Sequence, residues 1–110
     1  MDKSKITLSA SARRFMQQRG IKDVAFDLLY AGGAGIINEI EPVYQAPADA
    51  SGYRYFQVEG FHIFVSREIK ILGPLKLSTQ GFWKMKRLLL EGAFAAVSFW
   101  IFDNKMNEQR

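Results

Sequence analysis

Two runs near the middle of the chain, Tyr53 to Val58 and Phe61 to Val65, constrain the fold most. Both are aromatic and β-branched, and only Glu59-Gly60 separates them. A two-residue connection containing Gly is the turn of a tight antiparallel hairpin. The whole chain leans the same way: nine Phe, four Tyr and two Trp favour strands.

The flanking segments supply partners for that hairpin. Ile6-Thr7-Leu8 reads as a short opening strand. Ser9 then offers an N-cap, and Ala10 to Arg19 has helical character, with Ala12, Phe15 and Met16 on one face and Gly20 placed to end it. Val24 to Tyr30 alternates, with Val24, Phe26, Leu28 and Tyr30 facing one way and Ala25, Asp27 and Leu29 the other. Ala31 to Gly35 interrupts it. Ile36 to Gln45 returns as a strand that Pro42 pushes toward an edge or bulge.

After the hairpin, Ser66 caps one short helical turn through Lys70. Gly73-Pro74 punctuates, and Leu75 to Thr79 is a short strand. Phe82 to Glu91 fits neither period well and is read as a strand. Ala93 to Phe102 is apolar on both faces, as in a buried central strand, and Asp103 to Arg110 is a polar tail. The expected core includes Phe15, Val24, Phe26, Leu28, Ile63, Val65, Leu88, Val97, Phe99 and Ile101.

A length of 110 residues implies a single domain spanning residues 1–110. With no cysteine, the chain has no disulfide framework, thiolate metal site or thiol redox role. The net charge of +4 permits anionic partners without demanding them. Met1 to Lys5 leads into no hydrophobic signal region, and the apolar stretch from Ala93 is about half the length of a membrane-spanning helix. A cytoplasmic protein with no membrane association is expected.

The order of these parts carries a resemblance. Ile6-Thr7-Leu8-Ser9 precedes a helix, and Leu28-Leu29-Tyr30 leads into Gly32-Gly33-Ala34-Gly35. Val58-Glu59-Gly60-Phe61-His62-Ile63-Phe64-Val65 precedes a short turn, and Ser98-Phe99-Trp100-Ile101-Phe102-Asp103-Asn104 closes the series. In order and spacing the chain resembles the HesB-like family, the A-type carriers of iron–sulfur cluster assembly, from Ile6 to Asn104. The resemblance implies a mainly β fold, a folded mixed sheet or pseudobarrel with one N-terminal helix. It also places the family's first cluster ligand at Ala34, and a related branch's extra cysteine near Ala31 or Ala34. The family's remaining ligands, a Cys-x-Cys tail, fall where this chain has Lys105 to Arg110. Clusters need thiolate sulfur, and alanine offers none. The loop Gly32, Gly33, Ala34, Gly35 is therefore a ligand loop without its ligand, and no cofactor is expected.

Other sites compete with this reading. The glycine loop could cradle phosphate, but no helix follows Gly35 before Pro42, so a tight turn explains it better. His62 is the only histidine. With Asp27, Glu39 or Glu41 it could form a hard-ligand metal site, although ligand spacing is absent and a half-exposed strand histidine is simpler. Glu39 and Glu41 share one strand face, which a solvated surface explains more simply than acid–base chemistry does. Tyr53, Tyr55, Trp83, Lys84, Lys86 and Arg87 interleave rings with cations, as in a stacking platform for single-stranded nucleic acid, yet strand alternation yields the same strings. No Ser or Thr nucleophile finds a supporting motif. The expectation is a non-enzymatic binding or assembly protein that associates with itself or a protein partner. The alternatives are metal binding through His62 and single-strand binding through the basic aromatic face.

Overall fold

A computed structural model describes residues 5–31 and 37–94, with side chains described for 5–29 and 39–93. The loop Gly32 to Gly35, the strand expected beyond Phe94 and the tail 103–110 lie outside the described residues.

The described fold is mainly β with one helix near its N-terminus. In chain order it comprises β1 (Ile6–Leu8), α1 (Ala10–Arg19), β2 (Asp23–Ala31), β3 (Ile37–Val43), β4 (Tyr53–Val58), β5 (Phe61–Ser66), β6 (Lys70–Gln80) and β7 (Arg87–Phe94). Short 3-10 turns occupy Ala50–Gly52 and Trp83–Met85.

Local chemistry sets the first elements as the sequence predicts. Ser9 Oγ accepts the Ala12 amide at 3.0 Å, and α1 ends at Gly20 with φ of 66°. The β4–β5 hairpin turns through Glu59 and Gly60, with φ of 52° and 85°, the two positive values of a type I′ turn. Arg13 on α1 holds this turn with a two-pronged ion pair to Glu59, at 2.6 and 2.9 Å.

The strands form two mixed sheets, ordered β1-β6-β7 and β3-β2-β5-β4. The pairs β1–β6 and β2–β5 are parallel, and the others are antiparallel. β3 lies beside β7 and β4 beside β1, so the sheets approach each other at both pairs of edges. The β3–β7 seam is bridged by side chains: Arg87 Nη2 donates to the Ile40 carbonyl at 3.1 Å, and the Leu88 amide donates to the Tyr44 hydroxyl at 3.2 Å. Among the described residues no ladder joins the two sheets, so the pseudobarrel is not a closed one.

The core fills the space between the sheets and under α1. Phe15, Val24, Phe26, Ile63, Val65 and Leu88 are buried as expected, and Leu28 packs against them half-buried. Val97, Phe99 and Ile101 lie outside the described residues. Ile6, Met16, Phe56, Phe61, Ile69, Leu75, Leu77 and Leu90 join the core. Among the described residues no polar or charged residue is buried, so apolar burial at ~1.5–3 kcal/mol per large side chain carries the fold.

Three expectations need correction. Ser66 to Lys70 is not a helical turn. The Ile69 amide donates to the Ser66 carbonyl at 3.0 Å in a tight turn, and Lys70 already begins β6. Gly73-Pro74 does not end a strand. β6 runs from Lys70 to Gln80, and its register against β7 jumps from Ile71↔Ala93 to Lys76↔Glu91. Gly92 alone thus faces Leu72 to Leu75, and Pro74 sits in a bulge where its missing N–H breaks no ladder bond. Finally, Phe82 to Glu91 is a strand only from Arg87 onward, because a 3-10 turn occupies Trp83–Met85.

Candidate functional site

The four-stranded sheet turns Val24, Phe26, Ile63 and Val65 into the core. Strand alternation sends their neighbours to the opposite face. Register lines up Asp23 with His62, Ala25 with Phe64 and Tyr55 with Phe64, and Asp27 with Glu41. One outer face therefore carries Tyr53, Tyr55, His62, Phe64, Asp23, Asp27, Glu39 and Glu41.

The rings on this face form a row. Tyr55 stacks on His62 with centroids 5.8 Å apart, and its hydroxyl is hydrogen-bonded to His62 Nδ1. Tyr55 also packs against Phe64 at 5.2 Å, and Tyr53 meets Phe64 edge-on at 6.5 Å. The Tyr53 hydroxyl donates to Asp27 Oδ1 at 2.5 Å. That hydrogen bond, aided by burial and the carboxylate charge, pushes the Tyr53 phenol up to about 12.

A titration follows from this pair. The folded phenol holds its proton to higher pH than an unfolded tyrosine, whose pKa is about 10. Its contribution to stability is complete below about pH 10 and is lost as pH rises toward 12. Denaturant midpoints measured across that window should fall in the natural protein, and Tyr53→Phe should flatten the decline. An equal decline in both proteins would exclude the pair as its source.

The candidate metal ligands do not converge. His62 stands opposite Asp23, whereas Asp27 stands opposite Glu41, four residues further along β2. Four strand residues span about 13 Å. Among the described residues no group of three or more His, Asp or Glu side chains could hold a metal ion. His62 is instead a half-buried strand residue in the aromatic row, and Glu39 and Glu41 share the outer face, Glu39 exposed and Glu41 half-buried.

The basic aromatic residues also split. Tyr53 and Tyr55 lie on the outer face of β4, but Trp83, Lys84 and Lys86 lie on the turn between β6 and β7. Arg87 is tied to the Ile40 carbonyl, and its buried Nε has no hydrogen-bond partner among the described residues. The single platform drawn from the sequence is thus two separate surfaces. On the β6–β7 turn, Phe82, Trp83 and Met85 are 77%, 86% and 81% exposed. A groove of about 200 Å³ separates Trp83 and Lys86 from Ser11, Arg14, Gln18 and Arg19 of α1. Phe82, Met85, Arg14 and Arg19 join this surface beyond the residues expected from the sequence. The signal available was apolar residues set among lysines just after Gly81, in a stretch that fits neither helix nor strand period.

A family model described as "CC/Se motif containing family" matches residues 4–93. The chain belongs to the CC/Se motif containing family. This member of the CC/Se motif family has no cysteine, so the CC of that description has no counterpart in its sequence. No curated protein matches the sequence. Among solved structures, Escherichia coli SufA, described as involved in biosynthesis of iron–sulfur clusters, aligns at TM-score 0.49 and 13% identity over 80% of each chain. Among the described residues of this CC/Se motif family member, no helix is long and apolar enough to cross a membrane.

Proposed function

We propose that this CC/Se motif family member is a non-enzymatic binding or assembly protein, on a scaffold like that of the A-type iron–sulfur carriers and without their cluster ligands. The observation that carries this reading is a chain with no cysteine in a family described by a CC/Se motif. By the resemblance, Ala34 occupies the first ligand position, and Lys105 to Arg110 replaces the ligand tail. Iron–sulfur clusters are held by thiolates, and the chain supplies none.

The exposed apolar side chains favour association with another surface. Leu29, Tyr55, Leu72, Phe82, Trp83 and Met85 are all exposed. In this reading the protein works in the cytoplasm, catalyses no reaction and acts through a protein partner or through self-association.

Anaerobic reconstitution with ferrous iron and sulfide, followed by desalting, tests the loss of ligands. The expected product is colourless, with no charge-transfer absorption and no retained iron. A brown protein with stoichiometric iron and sulfide would overturn the reading.

A further inference from the structure

We propose that the β6–β7 turn is a wedge that docks this protein peripherally on an anionic lipid surface. The inference stands apart from the question of clusters, because it rests on the turn and the groove between it and α1.

The turn is built to present its side chains outward. Gly81 opens it with φ of 77°, and a Cβ there would lie 2.6 Å from the Met85 carbonyl oxygen. Only glycine accepts that close approach. Trp83 has φ of 61°, a left-handed conformation that a bulky side chain rarely adopts. The Met85 and Lys86 amides close the turn on the Phe82 and Trp83 carbonyls, at 3.1 and 3.2 Å. The outcome is three large apolar side chains, Phe82, Trp83 and Met85, each more than three-quarters exposed.

The order of groups along the wedge selects the partner. The apolar side chains Phe82, Trp83 and Met85 are exposed along the turn. Lys84 lies among them, Lys86 follows, and Arg14 and Arg19 line the groove beside Trp83. Among the described residues no acidic side chain lines that groove. Exposed apolar side chains set among cations match an anionic membrane surface, with phosphates outside and acyl chains within. Trp and Lys suit that boundary because each has an apolar body and a polar tip. Single-stranded nucleic acid would need flat rings beside a continuous phosphate track. Here Met85 has no ring, Arg87 is committed to the Ile40 carbonyl, and Tyr53 and Tyr55 belong to another surface.

Vesicle co-sedimentation tests the proposal. The probes are pure phosphatidylcholine vesicles and vesicles of equal parts phosphatidylcholine and phosphatidylserine, at low and high salt. The expected result is binding to the mixed vesicles, roughly tenfold or more weaker on pure phosphatidylcholine and weakened again by salt. Trp83→Ala and the pair Lys84→Glu, Lys86→Glu should each reduce binding about tenfold or more while leaving the melting temperature unchanged. With Trp100→Phe as background, Trp83 emission should shift to the blue on the mixed vesicles. Failure to sediment with them at low salt, or binding indifferent to Trp83→Ala, would overturn the proposal. So would quenching of Trp83 by a single-stranded oligonucleotide with no response to vesicles, which would assign the wedge to nucleic acid.

Discussion

Phe26→Ala is expected to lower the free energy of unfolding by about 3–5 kcal/mol, the range for truncating a buried phenylalanine. Phe26 has no exposed surface and lies on β2, an inner strand of the four-stranded sheet. Its register partners are Pro42 on β3 and Val65 on β5, so the backbone is held on both sides and cannot easily collapse into the void. Single domains are stable by only about 5–15 kcal/mol, so this loss removes a large share. The denaturant midpoint should fall sharply while the slope of the transition is unchanged. A loss below about 1 kcal/mol would mean that the side chain is not packed as described.

Gly92→Ala should cost about 3 kcal/mol or more, although it adds only a methyl group. Gly92 has φ of 94°, and a Cβ there would lie 2.4 Å from the Pro74 carbonyl oxygen. Two penalties therefore add: a backbone conformation that side chains avoid, and a clash with backbone that cannot rotate away. Relief would require opening the bulge opposite Gly92 and moving Leu75, which is buried in the core. Leu72→Ala serves as the control, because Leu72 lies in the same bulge but is 64% exposed and should change stability by no more than about 0.5 kcal/mol. Equal effects of the two substitutions would remove the close approach as the cause.

These two positions show which parts of the fold the sequence makes legible. Where neighbouring residues decide, reading succeeds. Ser9 caps α1 through an amide three residues away, and Glu59-Gly60 turns the hairpin whose strands flank it. Where the decision lies far along the chain, reading fails. Gly73-Pro74 looks like an ending because nothing nearby reveals that Gly92 makes room for a bulge. The site divides the same way. Alternation predicts that His62 and Phe64 share a face, but only the strand order shows that Tyr53 reaches Asp27 and that His62 meets Tyr55. Interleaved rings and cations look alike in Tyr53–Phe56 and Phe82–Arg87. One is half-buried strand and the other largely an exposed turn, a distinction set by packing and not by composition.

The parallel pairing of β1 with β6 bears on how quickly the molecule acquires its structure. Ile6 aligns with Leu75 and Leu8 with Leu77, and the Ser9 amide, at the threshold of α1, donates to the Leu77 carbonyl at 2.9 Å. Among the described residues β6 is the ladder partner of β1, and closing so long a loop is entropically slow. During synthesis β1 stays apolar and unpaired until β6 has been made, an interval in which such a strand is open to misassembly.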